Sequence, residues 1–192
     1  MEKCKAEFFL GSISANGFAG YYKQAVKNAD CGTPILIKGG PGCGKSTILK
    51  RLAAHLEEKG AYVEYIHCAG DASSLDGVIT SGGMFCAVDA TEPHVIEPQY
   101  PQTVENIISL YDALDSDKLY ENRAEIIKLF ERERGWEERA KRYVTAAANI
   151  MQDTSRVAMC FTDLSKAKEF GETLAKKYIT ASQAKRARAY AF

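Results

Sequence analysis

Residues 35–47 read ILIKGGPGCGKST: a short apolar run, a glycine-rich bend and the start of a helix. Gly39, Gly44, Lys45 and Ser46 satisfy the pattern G-x-x-x-x-G-K-[ST], and its place between an expected strand and an expected helix is the context in which it binds phosphate. The glycines let the backbone curl so that successive N–H groups point inward at phosphate oxygens. The helix beginning near Lys45 adds its positive end. The expected cradle for ATP is Gly39, Gly40, Pro41, Gly42, Cys43, Gly44, Lys45, Ser46 and Thr47. Lys45 is expected to reach the β- and γ-phosphates, Thr47 the α-phosphate, and Ser46 to complete the shell of Mg²⁺. A glycine-rich turn that binds nothing is the competing reading; four filled motif positions in the right context weigh against it. Neighbouring N–H dipoles and Lys45 favour a reactive thiolate at Cys43, against the simpler reading of a small residue that fits the loop.

Outward from the loop, Ile48, Leu49, Leu52, Ala53 and Leu56 mark one face of a helix that Gly60 ends. AYVEYIHC reads as the next strand, and the unit is strand–helix–strand. A polar patch follows, AGDASSLDG, then VIT and the apolar run MFCAVDA, which ends in Asp89. A strand-terminal acid there is expected to face Mg²⁺ from across the sheet. Glu92, three residues on, is placed to orient an attacking water. His94 shares its loop, and Asp71 and Asp76 are candidate bases for a substrate hydroxyl. His67 reads as a structural histidine. His67, Cys68, Asp71 and His94 match no zinc spacing. Upstream, EFFL is a candidate strand; Phe18, Tyr21, Tyr22, Ala25, Val26 and Ala29 have helical spacing, with Asn16 as a candidate cap.

Beyond residue 103 the pattern turns helical. Val104, Ile107, Ile108 and Tyr111 suggest one helix, Leu119 to Phe130 a second, residues 136–161 a long third, and Asp163 or Ser165 can cap a last one. The expected fold is α/β, a P-loop NTPase with a small, mainly parallel sheet and a large C-terminal helical region. Its expected parts are a nucleotide-binding core over residues 1–102, a helical, lid-like region packed on it over 103–181, and a tail over 182–192. In the helical part, Arg132, Arg134, Arg139, Lys141 and Arg142 could supply a residue that swings over the phosphates; a solvated face with i,i+4 ion pairs is the plainer reading.

Lys plus Arg and Asp plus Glu are each 25, which leaves no broad positive field for nucleic acid. No apolar run approaches the ~20 residues of a membrane span, and the N-terminus lacks the apolar core of a secretory signal. A cytoplasmic location is expected, with the six cysteines reduced; none forms a C-x-x-C pair.

Taken together, KGGPGCGKST, EYIHCAGDASSLDGV and VDATEPHVIEPQYP resemble an uncharacterised bacterial family, found largely in Firmicutes, of ATPase-like proteins with two P-loop repeats in tandem. The resemblance runs from about residue 6 to the end. It implies that Gly39 to Thr47 and Asp89 carry nucleotide and metal, and it includes His67, Asp71, Asp76 and His94 in the shared stretches. This chain has one P-loop only. It is expected to be the first repeat of a longer protein, or else a short homologue, and its expected partners are a second P-loop half or another copy of itself.

Three functions fit. The leading expectation is ATP binding with Mg²⁺-dependent ATPase activity, Lys45, Asp89 and Glu92 carrying the chemistry. A nucleotide or small-molecule kinase is the alternative: GGPGCGK is close to the loop of nucleoside monophosphate kinases, although Ser46-Thr47 stands where they have Gly-Thr, and DATEPH where they have DGFPR. A nucleotide-gated switch with negligible turnover is the third. No N/T-K-x-D motif reads guanine.

Overall fold

The computed structural model describes residues 6–28, 33–80 and 85–179. One strand in from the edge of its main sheet is β4 (Ile35–Lys38), whose apolar run buries Leu36 on one face of the sheet and Ile37 on the other. It pairs in parallel with β7 (Cys86–Asp89) on one side and β8 (Asn106–Ser109) on the other. Beyond β7 lie β6 (Leu75–Thr80), β5 (Val63–His67) and β1 (Ala6–Phe9). The order is β1-β5-β6-β7-β4-β8, six strands of which only β6 runs antiparallel to its neighbours. The fold is thus mixed α/β, with a mostly parallel sheet.

Alternation along the strands splits the core in two, as a period of two requires. One layer joins Leu36, Ile66, Ile79, Cys86 and Val88 to Tyr22 and Ile96. A hairpin of β2 (Gly11–Ser14) and β3 (Gly17–Gly20) and the helix α1 (Tyr22–Asn28) cover it, with Phe18, Ala25 and Val26 packed inward. The other layer joins Ile37, Val63, Leu75, Val78 and Ala87 to Leu49 and Ala53 of α2 (Lys45–Glu58). The end of α2 is closed as expected at Gly60, which has φ +82°. Its N–H donates to Glu57 O and that of Ala61 to Leu56 O, a Schellman closure.

Four expectations are corrected. The helix expected from Phe18 begins only at Tyr22: Phe18 lies in β3, and Asn16 is in the hairpin turn rather than at a helix cap. Gly11, Gly17 and Gly20 surround this segment, and the Phe18 ring lies where a Cβ on Gly11 or Gly20 would stand, so close packing overrides the helical spacing. The polar patch with VIT conceals β6. Its buried strand is launched by Asp71, whose carboxylate accepts from the Ser73 amide and from the hydroxyls of Ser73 and Ser74. The helix expected over 104–111 is instead strand β8, followed by a 3₁₀ turn (Tyr111–Ala113). Open edge groups on β4 pair with this β-branched segment in register Leu36 to Ile107, and pairing outweighs a spacing that fits both forms. The strands therefore extend past residue 90, and the sheet, six-stranded, is larger than the three strands read with conviction.

α3 (Ser116–Glu121) is capped by Asp115, and α5 (Leu164–Tyr178) by Asp163, one of the two residues expected there. Between them α4 (Arg123–Cys160) runs for 38 residues and merges two expected helices through Gly135. The chain divides into two compact units between Arg142 and Tyr143. No residue of α3, α4 or α5 is buried. Among the described residues no helix is long and apolar enough to cross a membrane. The candidate strand AYAF, the expected tail over 182–192, Cys4 and Cys31 lie outside the described residues.

Gly77 sits in β6 between β5 and β7. A Cβ there would meet Ile66 Cδ1 at 2.9 Å and Val88 Cγ1 at 3.0 Å. Gly77→Ala is expected to destabilise the fold by about 1–3 kcal/mol, read as a lower urea midpoint. Tyr65 donates to Glu57 across the α2–β5 seam (2.8 Å). Burial first, and that bond second, push its phenol up to about 12. The raised value means that its contribution is complete below pH 10 and lost as pH climbs through 12. Tyr65→Phe is expected to flatten the alkaline fall in melting temperature across that window.

Candidate functional site

Two parallel neighbours, β4 and β7, end side by side: Ile37 stands opposite Asp89, and the Ala90 N–H donates to Ile37 O (2.9 Å). The chain leaving β4 curls through Gly39–Gly44, with φ +76° at Gly42 and +89° at Gly44. Those angles suit glycine alone without strain. The N–H groups of Gly42 and Gly44 donate to no protein acceptor among the described residues. α2 follows at once, with Gly44 at its N-cap and no side chain capping it. Its first N–H groups thus lack the partner that a Ser, Thr or Asp would supply.

Lys45 folds back over this loop. Its ammonium donates to the carbonyls of Gly39 (2.6 Å) and Gly40 (3.0 Å) and lies 3.4 Å from Asp89 Oδ2. Asp89 is buried, and its Oδ1 accepts the Thr91 N–H (2.9 Å). The Thr91 hydroxyl accepts from Gly39 N–H (3.2 Å), tying the two strand ends together. Ser46 Oγ accepts the N–H of Leu75 (2.9 Å), which anchors the start of β6 on α2. Cys43 is half-buried, its N–H donating to Gly40 O.

Beside Asp89 lies a second group of polar side chains. Asp76, Asp89 and His94 are all buried, and one potential ligand atom from each lies within 4.8 Å of the others. Tyr22 donates its hydroxyl to Asp76 Oδ2 (2.8 Å). The His94 ring stands edge-on to Tyr22, centroids 4.5 Å apart, and near Phe18. Burial pushes the Asp76 carboxyl up, against the Tyr22 hydroxyl and His94. Burial likewise pushes His94 below its ordinary value, against the attraction of Asp76 and Asp89. Tyr22 is held well above the usual phenol range, by burial first and by Asp76 second. Cys68 is raised by burial although the Gly70 and Asp71 amides oppose it.

The other sequence candidates fall around this centre. Glu92 is exposed on the wall of a cavity of about 720 Å³ that Asp76, His94, Cys68 and Asp71 also line. Arg132 and Lys141 of α4 reach the same wall, with Trp136 between them; Arg139 stacks on Trp136 instead. Asp71 is held by Ser73 and Ser74, whose bonds, that of Ser74 foremost, keep its carboxyl below the usual range. His67 is structural in its contacts: Nδ1 meets Ala72 O (2.8 Å) and Nε2 lies 3.4 Å from Glu7. Cys68 entered the sequence reading only in a zinc set that its spacing rules out, and Tyr22 was not legible as a site residue. Tyr22 reads as part of a helix face, and nothing local ties it to an acid 54 positions away.

Residues 20–90 match the model of the family described as Nephrocystin 3, N-terminal. The match takes in α1, β4, the glycine loop, α2 and the strands through β7, well under half of the chain. No curated protein and no solved structure matches significantly.

Tyr22→Phe removes the hydroxyl that Asp76 accepts and leaves a buried oxygen short of a donor. A loss of about 1–3 kcal/mol is expected, measured by urea unfolding at neutral pH; an unchanged midpoint would show that this bond holds nothing in place.

Proposed function

We propose that the chain is a P-loop protein that holds ATP in the loop Gly39–Thr47 and hydrolyses it with Mg²⁺. The observation that carries this reading is the uncapped start of α2, wrapped by glycines in the left-handed region and bearing Lys45 beside buried Asp89. Free N–H groups at a helix start, a curled glycine backbone and an ammonium are the elements of a polyphosphate cradle. The Lys45 ammonium rests on two loop carbonyls; phosphate oxygens are stronger acceptors for it. Ser46 Oγ and Asp89 supply the hard oxygens that suit Mg²⁺, which would there neutralise charge between the β- and γ-phosphates. Glu92 is the candidate to orient water for attack on the γ-phosphorus, breaking its bond to the bridging oxygen and leaving ADP. The resemblance to bacterial tandem P-loop proteins agrees with this reading.

A second reading, transfer to a small-molecule acceptor, is favoured by the cavity that adjoins Asp76 and His94. An acceptor seated there would lie beside Asp76 and His94 rather than in bulk water.

Calorimetric titration with ATP, ADP and GTP in Mg²⁺, followed by phosphate release on the same sample, tests both. Lys45→Ala is expected to weaken ATP binding about 10- to 100-fold. Asp89→Asn is expected to cut phosphate release about 100-fold or more. Failure of the unmodified chain to bind any of the three nucleotides overturns the proposal; γ-phosphate appearing on an added metabolite instead of as free phosphate decides for the kinase.

A further inference from the structure

We propose that Asp76, Asp89 and His94 form a site for one divalent transition-metal ion, filled without nucleotide. The inference goes beyond the ATP reading and shares only Asp89 with it.

The argument begins at His94. Its side chain is 5% exposed, and Nδ1 lies 3.0 Å from Thr91 O. A carbonyl oxygen only accepts, so Nδ1 carries the proton. In the neutral ring Nε2 is then a bare acceptor. That atom is buried and has no hydrogen-bond partner among the described residues. It lies 3.4 Å from Asp76 Oδ2. A lone pair facing carboxylate oxygens in a buried pocket is repulsive unless a proton or a metal cation stands between them.

The surroundings have the form that supports metal ligands. An imidazole ligand commonly donates its other nitrogen to a backbone carbonyl, and ligating carboxylates are themselves hydrogen-bonded. Here Thr91 O receives Nδ1–H, Tyr22 donates to Asp76, and the Thr91 amide donates to Asp89. The three ligand atoms lie within 4.8 Å of each other. Tetrahedral ligands with bonds of about 2.1 Å stand about 3.4 Å apart; His94 Nε2 and Asp76 Oδ2 already have that spacing, and the widest pair closes by about 1.4 Å of side-chain movement. Lys45 already has two loop carbonyls as partners and can leave Asp89 when the ion enters.

One imidazole with two carboxylates suits Zn²⁺, Mn²⁺ or Co²⁺; an imidazole is a poor ligand for Mg²⁺. Three protein ligands beside a cavity, which Asp76 and His94 line, leave a coordination position open, as in catalytic rather than structural zinc sites.

The test uses the full chain, stripped with chelator and free of nucleotide. Zn²⁺, Mn²⁺ and Co²⁺ are added separately, bound metal is measured by equilibrium dialysis with elemental analysis, and the Co²⁺ absorption spectrum is recorded. One ion per chain is expected, with a Co²⁺ spectrum of nitrogen and oxygen ligation. His94→Gln and Asp76→Asn are expected to weaken uptake about 100-fold or more, and Tyr22→Phe about 10-fold. Near-UV circular dichroism establishes that each variant is folded. The wild-type stoichiometry stands as a test even if a variant is not. Absence of 1:1 uptake of all three ions overturns the inference, as does a spectrum dominated by thiolate charge transfer or uptake unchanged in folded His94→Gln. Lys45→Ala, which weakens ATP binding, is expected to keep the ion. Metal failure with ATP binding intact therefore sinks this inference alone, and ATP failure with 1:1 metal uptake sinks the nucleotide reading alone.

Discussion

The direct pairing of β4 with β7 is the constraint on which the remainder depends. With Ile37 opposite Asp89 and the Ala90 amide bonded to Ile37 O, the two strands end level with each other. Whatever leaves β4 must then turn next to whatever ends β7. The glycine loop leaves β4, and Lys45 folds back to 3.4 Å from Asp89. A strand inserted between the two would move them apart by about 4.8 Å, and the ammonium and carboxylate would lose each other. Apolar burial on both faces, Leu36 with Val88 and Ile37 with Ala87, holds this pairing in register.

The reversed strand β6 has a different consequence. Because it runs antiparallel between β5 and β7, its start lies at the same edge of the sheet as the ends of β5, β7 and β4. Asp76, near that start, is carried to Asp89, and its neighbour Leu75 bonds to Ser46. The loop after β7 then brings His94 over the same edge, where Tyr22 and Phe18 pack against its ring. Buried acids and an imidazole this close are costly to keep unless they are bonded or ligated. The bonds from Tyr22 and Thr91 offset part of that cost; Nε2 of His94 is the atom they leave out.

The legible parts are those that local chemistry governs. β4, the glycine loop, α2 with its end at Gly60, β5 and β7 follow from an apolar run, a fixed glycine spacing and an apolar face of period 3.6. Asp163 was legible as a cap because capping is a matter of three or four neighbouring residues. The misread segments obey distant partners. Phe18 follows the glycines it packs on, and Ile107 and Ile108 follow the open edge of β4. β6 was hidden because its polar residues are paired once folded, Asp76 with distant Tyr22 and Thr80 with Phe85 five residues on, while its composition reads as a loop.

By itself the sequence determined a glycine loop between a strand and a helix, with a lysine in it and an acid at the end of a later strand, because spacing along the chain dictates backbone curl and helix start. The tertiary structure alone decided that β7 is the neighbour of β4, that β6 is reversed, and that Tyr22, Asp76, Asp89 and His94 meet. Those contacts join residues up to dozens of positions apart. They are set by sheet order and burial, and no periodicity in the chain encodes either.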